Sequence, residues 1–313
     1  MSQRIGVIGC GRWGSKHLQS LQTLAPEAGI ECIVACDIDA STLESVQYKN
    51  VELHNDPHTL VDRFQLDSVI IATPNATHYE LGMEFLGKGV DVFLEKPLAT
   101  TFDHASSLVS TAIQEGKILK SGFLLRFHPC ILDARSQIRA GKIGAIQSIH
   151  YRKKSQRNGD RSSHALDTLA IHGIDLAEFL LDGQTPLRIS EVHGTRTASE
   201  LVLEYPNQVE IYIDVGWNKE FDVAEVEVIG RDGRMLIQLQ HHEQYEILKN
   251  QSTLEFIESK HTPLEAVILD FVNGDSTSIA ASTGSILRTI KCIEQAHLQL
   301  IASGRSKTRE LKR

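Results

Sequence analysis

Up to residue 122, short apolar runs alternate with stretches of helical periodicity. The runs fall at residues 5–8, 30–36, 67–73 and 90–94, with a shorter one at 117–122. Between them lie a helix-like segment at 15–24, another at 77–88 closed by Gly89, and a third that Thr100 can cap, with Asp103 three residues on, and that runs to about Gly116. Strands and helices in this order predict a parallel sheet covered by helices on both faces. Beyond Gly122 the alternation stops. Val209, Ile211, Ile213 and Val215 fall on one face of a strand and Glu210, Tyr212 and Asp214 on the other, as an antiparallel sheet with one wet face requires. Pro206-Asn207 and Asp232-Gly233 supply hairpin turns. Helices over 165–181 and 278–301 interrupt this sheet, the second placing Ile286, Ile290, Ile293 and Leu300 on one face as a core stripe. The expected fold class is α/β: a doubly wound parallel sheet at residues 1–122, then an α+β domain on a largely antiparallel open sheet at 123–313. No internal repeat is visible, and only the basic end at 305–313 reads as loose.

Composition narrows the function class. A chain of 313 residues with 41% hydrophobic and 23% charged residues has room for two soluble domains. The formal charge of -8, without a run of five or six basic residues, argues against a nucleic-acid surface, and Arg152-Lys153-Lys154 is too short to change that. No basic segment followed by an apolar stretch opens the chain and no run reaches membrane-span length, so a cytoplasmic protein is expected. The five cysteines, Cys10, Cys32, Cys36, Cys130 and Cys292, are odd in number and lack C-x-x-C spacing, which fits reduced thiols. Fourteen histidines raise the question of a metal, but neither His241-His242 nor His164 with His172 has the spacing of a zinc site, so none is expected.

The first strand leads into Gly9-Cys10-Gly11-Arg12-Trp13-Gly14, the spacing G-x-G-x-x-G. Chance produces this motif often; its setting between an apolar strand and a helix gives it meaning. Without Cβ atoms at Gly9 and Gly11, a pyrophosphate can approach the N–H groups of the helix's first turn, and Gly14 lets helix and strand pack closely. The second strand ends in Asp37, an acceptor for adenosine ribose hydroxyls that would repel a 2′-phosphate, so NAD is expected over NADP. Ligands of open parallel sheets bind outside the carboxyl ends of the strands. Two other strands end in Thr73-Pro74-Asn75 and Glu95-Lys96-Pro97, which puts Lys96 beside the dinucleotide. Its ammonium can hydrogen-bond a substrate oxygen and pass a proton as hydride leaves or arrives.

These residues resemble the Gfo/Idh/MocA oxidoreductases. The likeness rests on Gly9 to Gly14, Asp37, Ala72-Thr73-Pro74-Asn75-Ala76-Thr77-His78, Glu95-Lys96-Pro97, Arg126-Phe127-His128-Pro129 and Gly141-Lys142-Ile143-Gly144, and it extends over nearly the whole chain. It implies an N-terminal Rossmann domain, a C-terminal α+β domain whose open sheet often joins subunits into a dimer or tetramer, a nicotinamide cofactor, and sugars, cyclitols or related polyols as substrates. It adds His78 and Glu95 to the cofactor residues. From the second domain it implies His172 as a proton acceptor beside Lys96, with Asp167, Thr168 and Asp175 around the substrate. Arg126 can hold a substrate oxygen or form an ion pair. Two departures are visible. Family members commonly carry an aspartate four residues before the histidine, where this chain has Thr168; Asp167 is five before, and on a regular helix it points away from His172. The family's glycine-rich lead-in is replaced by Arg161-Ser162-Ser163-His164. Thr168 therefore keeps a second reading open, a dinucleotide-binding sensor without turnover, and within the same fold a glycosidase using its nicotinamide transiently is a third.

Overall fold

The computed structural model describes residues 3–159, 164–274, 280 and 282–310, with side chains up to Ser303. The chain forms two compact units, Met1–Phe127 with His261–Leu287, and His128–Lys260 with Arg288–Arg313.

The first unit holds six strands, β1 (Gln3–Ile8), β2 (Ile30–Cys36), β3 (Val51–His54), β4 (Ser68–Ile71), β5 (Asp91–Leu94) and β6 (Leu119–Ser121), paired in the order β3-β2-β1-β4-β5-β6. Every pairing is parallel, with Ile8 level with Ile71 and Ile71 level with Leu94. Helix α1 (Arg12–Ala28) follows the glycine turn, and the short α2 (Ala40–Glu44) and α3 (Leu60–Phe64) come next. Alternate strand residues Ile5, Val7, Ile33, Ala35, Ile70 and Phe93 pack against Leu18, Leu21 and Leu24 of α1. Helices α4 (His78–Gly87) and α5 (Phe102–Glu115) meet over Leu94, where Gly82 leaves the space that Leu94 and Leu108 occupy. The cap of α5 is Thr101, whose side chain accepts the His104 N–H, and not Thr100. The helix starts one residue later than expected because Thr101 has the extended backbone and the N3 donor that a cap requires.

A single boundary near Phe123 does not describe the division. Helix α6 (Pro129–Arg139) opens the second unit, but α8 (Pro263–Val272) returns to the first. Val267, Ile268, Phe271 and Val272 of α8 join the α1 core, and the Lys120 ammonium pairs with the Asp270 carboxylate. A strongly apolar face on α8 needs a hydrophobic partner, and the exposed side of α1 provides one.

The second unit is built on β7 (Ile146–Lys154), β8 (Arg188–Thr195), β9 (Ala198–Glu204), β10 (Glu210–Gly216), β11 (Val223–Gly230), β12 (Gly233–Gln238), β13 (Gln244–Leu248) and β14 (Ser252–Phe256). Their order is β14-β13-β12-β11-β7-β10-β9-β8; all neighbours are antiparallel except β7 with β10. Ile149, Tyr151, Ile211, Ile213, Val226 and Val228 are buried, while Glu210, Tyr212 and Asp214 on the opposite face stay partly accessible. Helix α7 (Ile171–Leu180) lies on the buried face, where Gly173 permits contact with Tyr151 and Ile213. Helix α9 spans Thr283–Glu310, and Ile286, Ile290 and Ile293 are buried as expected. Residues 278, 279 and 281 of the expected helix lie outside the described residues, as do 311–313 of the basic end. Residues 305–310, expected to be loose, continue α9.

Candidate functional site

Because all six strands of the first sheet run the same way, the Gly9 to Gly14 turn, Asp37, Thr73-Pro74-Asn75 and Glu95-Lys96-Pro97 emerge along one edge. The glycines play different parts. Gly9 has φ +85° and a Cβ there would meet Ala72 O at 2.8 Å; one at Gly14 would lie 1.8 Å from Gly9 O. At Gly11 a Cβ would meet nothing within 4 Å, so packing within the protein does not demand glycine there. Gly11 is also the N-cap of α1 and offers no side-chain acceptor to its first-turn N–H groups. Open space at uncapped N–H groups is what an incoming pyrophosphate needs, and these residues fit a dinucleotide.

The Cys10 N–H is already committed, donating to Asp37 Oδ2 at 2.8 Å, while Asp37 Oδ1 accepts the Asp39 N–H at 3.0 Å. This fixes the carboxylate against the glycine turn. Burial, followed by the charge of Asp37, pushes the Cys10 thiol up to about 12, so it is no nucleophile. The Trp13 ring carries the Arg12 guanidinium 5.7 Å and the Lys16 ammonium 4.9 Å from its centre.

His78 and Glu95, expected among the cofactor residues, stand behind this edge instead of on it. His78 is fully buried, with Nδ1 2.9 Å from Pro97 O and Nε2 3.0 Å from Thr73 O, and so ties two strand-end loops together. Burial pushes its pKa down against the pull of the two carbonyls. Glu95 turns inward, where its Oε1 accepts a 2.6 Å hydrogen bond from His17 Nε2 and its Oε2 accepts the Lys96 N–H at 3.2 Å. Burial opposes the carboxylate charge, but His17 and the nearby Lys96 outweigh it and hold the pKa below the ordinary range. Lys96 itself is half-buried, on the far side of a cis bond to Pro97. Arg126 is 7% exposed and donates Nη2 to Ser285 Oγ at 2.5 Å.

In the second unit, the segment before His172 is not a regular helix. Leu166–Ala170 is a π-helical turn, marked by the Ile171 N–H reaching Leu166 O, and it runs straight into α7. A widened turn inserts one residue without ending the helix. A residue five before His172 therefore takes the place that a residue four before would take on an α-helix. Burial agrees: from 165 to 181 only Asp167, Thr168 and His172 are not buried. The expectation that Asp167 points away from His172 assumed 3.6 residues per turn throughout, and this turn departs from that; Asp167 shares the accessible side of the segment with Thr168 and His172. Thr168 Oγ1 donates to His164 O at 3.0 Å. Asp175, 1% exposed, lies off the accessible face and near Tyr205, whose pKa is pushed up first by burial and then by the charges around it. The lead-in residues Arg161, Ser162 and Ser163 lie outside the described residues.

Three residues add to the sequence reading. His17 interrupts the apolar stripe of α1 between Gly14 and Leu18, which is a visible signal in hindsight. Ile38 follows Asp37 and is 83% exposed, an apolar surface beside that carboxylate. His297 meets Asp167 across the fold and has no local signal.

One family model, "Oxidoreductase family, NAD-binding Rossmann fold", matches residues 3–123, and another, "GFO/IDH/MocA C-terminal domain", matches residues 131–236. Inositol 2-dehydrogenase 2 of Saccharopolyspora erythraea is 29% identical over 251 residues, 74% of this chain and 72% of that protein. The scyllo-inositol 2-dehydrogenase (NAD(+)) of Bacillus subtilis is 27% identical over 268 residues, 78% and 76% of the two chains. A dehydrogenase from Chromobacterium violaceum of known structure superposes with a TM-score of 0.84 at 18% identity over 100% of this chain and 99% of that one, a likeness of fold.

Proposed function

The chain belongs to the Gfo/Idh/MocA oxidoreductase family, and from that premise we propose that it is an NAD(H)-dependent dehydrogenase acting on a secondary alcohol of a cyclitol or related polyol. NADP(H) is the second choice, because a 2′-phosphate would meet Asp37 with like charge. The observation that carries the reading is the carboxyl edge of the parallel sheet. It holds a glycine turn with room at Gly11, an acid at Asp37, and a lysine two strands away at Lys96. The inositol dehydrogenases among the relatives support a cyclitol as the substrate class.

When bound, the nicotinamide supplies the acceptor for a hydride from the carbinol carbon. The Gly9 to Gly14 turn and the α1 N-terminus would hold the pyrophosphate, Asp37 would take the adenosine ribose hydroxyls, and Ile38 would offer apolar surface next to them. Thr73, Pro74 and Asn75 line the same edge. Lys96, as the neutral amine, accepts the hydrogen bond of the substrate hydroxyl at Nζ and takes its proton to become the ammonium; His172 is the second candidate for that proton. Buried Glu95 fixes the Lys96 backbone and places a negative charge behind it. What speaks against the sensor reading is that Asp167 joins Thr168 and His172 as the accessible residues of this segment, so a carboxylate is on offer there beside the threonine. A cytoplasmic location is supported by five free cysteines, and among the described residues no helix is long and apolar enough to cross a membrane. The accessible face of the large sheet, with Glu210, Tyr212 and Asp214, is the surface for a homo-oligomer.

The test is NAD reduction across inositol isomers, other polyols, amino sugars and nucleotide sugars. A cyclitol or polyol should be oxidised. Lys96→Ala should then lower single-turnover hydride transfer about a hundredfold or more with little change in NAD affinity. Reduction with no member of the panel would reject the reading.

A further inference from the structure

Asp167 is 31% exposed in its side chain and does not stand alone. Its Oδ1 accepts a 2.8 Å hydrogen bond from His297 Nε2, on α9, and His297 is itself 33% exposed. The His297 ring packs edge-on against His164, with centroids 4.9 Å apart, and the Ala165 N–H that follows is anchored on Arg196 O at 2.8 Å. Burial and the neighbouring His297 push the His164 pKa down. The start of the π-turn is therefore held at two points, by the backbone of the β8–β9 turn and by an imidazole from α9. Asp167 Oδ2 has no donor among the described residues, and it belongs to the one accessible face of this helix, with His172.

A carboxylate with one oxygen fixed and the other open is suited to accept a hydrogen bond from a hydroxyl group. Fixing it also matters: an exposed aspartate loses rotamer freedom on binding, and a partner that has already frozen it lowers that cost. We propose that His297 is a positioning residue for substrate binding, which holds Asp167 so that its free oxygen accepts a hydroxyl of the polyol. The inference rests on the dehydrogenase reading above and deepens it. It assigns His297 no contact with the substrate and no part in proton transfer. Its effect should thus fall on substrate affinity, where a lost charge-assisted hydrogen bond is felt about ten- to a hundredfold.

The experiment uses the full chain with NAD and the best polyol found. His297→Leu removes the donor and should raise KM for the polyol about tenfold or more, with kcat changed less than about threefold and NAD affinity retained. His297→Gln, whose amide can still donate to Asp167, should recover most of the loss. Asp167→Asn should raise KM similarly, and adding His297→Leu to it should cost little more, as expected of two residues acting through one contact. Melting temperature and NAD affinity, read for each variant, report whether the fold survives; the glutamine and asparagine variants carry the test if the leucine variant does not. Wild-type KM in all variants, or a glutamine variant as impaired as the leucine one, overturns the inference and leaves the dehydrogenase reading standing. If the parent protein oxidises no polyol, the reading fails and the inference goes with it.

Discussion

His17 and Glu95 form an ion-pair geometry at 0% and 8% side-chain exposure, beneath the loop that carries Lys96. Such a pair adds little stability over a well-packed apolar pair, but removing one member leaves a charge in a dry place and costs about 3–5 kcal/mol. His17→Leu should therefore destabilise the protein by about 3 kcal/mol at pH 7, measured by urea unfolding. The sign of the pH dependence distinguishes charge from packing. In the parent, Glu95 has a folded-state pKa below its ordinary value. Its contribution is fully present above the unfolded value of about 4.3 and is lost as pH falls through the folded one. In His17→Leu, burial, already the largest single influence, loses its main counterweight and carries the pKa above the ordinary value. The remaining contribution is then present at low pH and lost as pH rises through the raised pKa. The gap between parent and variant should shrink from pH 7 toward pH 4; a gap equal at both would assign the loss to packing alone.

The β1–α1 turn separates two uses of glycine that a motif merges. At Gly14 the missing Cβ makes room for Gly9 O, so Gly14→Ala should cost about 2 kcal/mol or more of stability as the helix is forced off the strand. At Gly11 the space is open on the protein side, so Gly11→Ala should change stability by less than about 1 kcal/mol yet weaken NAD binding tenfold or more. Thermal unfolding with and without NAD reads both effects, and a Gly11→Ala protein that binds NAD normally would move the pyrophosphate elsewhere. This turn was legible in the sequence because its constraints are local: strand, turn and helix lie within a few dozen residues and each glycine answers to a neighbour. The period-two strands of the second unit were legible for the same reason. The π-turn was not, since an inserted residue leaves the composition of residues 165–181 unchanged and shifts only the phase of Asp167. Nor was the choice of Thr101 over Thr100, two adjacent threonines distinguished by backbone angles alone. The inward turn of Glu95, at a strand end, and of His78, at the start of α4, was not legible, because the chain pattern does not say which side chains turn inward to brace a loop. His297 pairs with Asp167 across 130 residues, a contact that only the folded chain reveals.

On the scale of the whole molecule, the first unit is discontinuous in sequence, and its stability should depend on that. A segment ending at Phe127 contains every strand of the parallel sheet and all four strand-end segments of the ligand-facing edge, so it looks self-sufficient. It lacks α8. Without Val267, Ile268, Phe271 and Val272, the apolar surface formed by Leu18, Leu21 and Leu24 of α1 would lose its cover, and each large core side chain withdrawn costs about 2–5 kcal/mol. Two polar ties are lost as well. Lys120, whose side chain is 10% exposed, would be parted from the Asp270 carboxylate, and Arg126 from Ser285. Several such losses together exceed the 5–15 kcal/mol by which a domain is stable. The fragment 1–127 should therefore lack a cooperative thermal transition, bind a hydrophobic dye and show no stabilisation by NAD, although it carries the complete glycine motif. Joining residues 261–287 to it through a flexible linker should restore the transition and, with it, the upward shift that a ligand of the native state produces. A fragment 1–127 that melts cooperatively and is stabilised by NAD would show that α8 is a passenger on a self-sufficient domain.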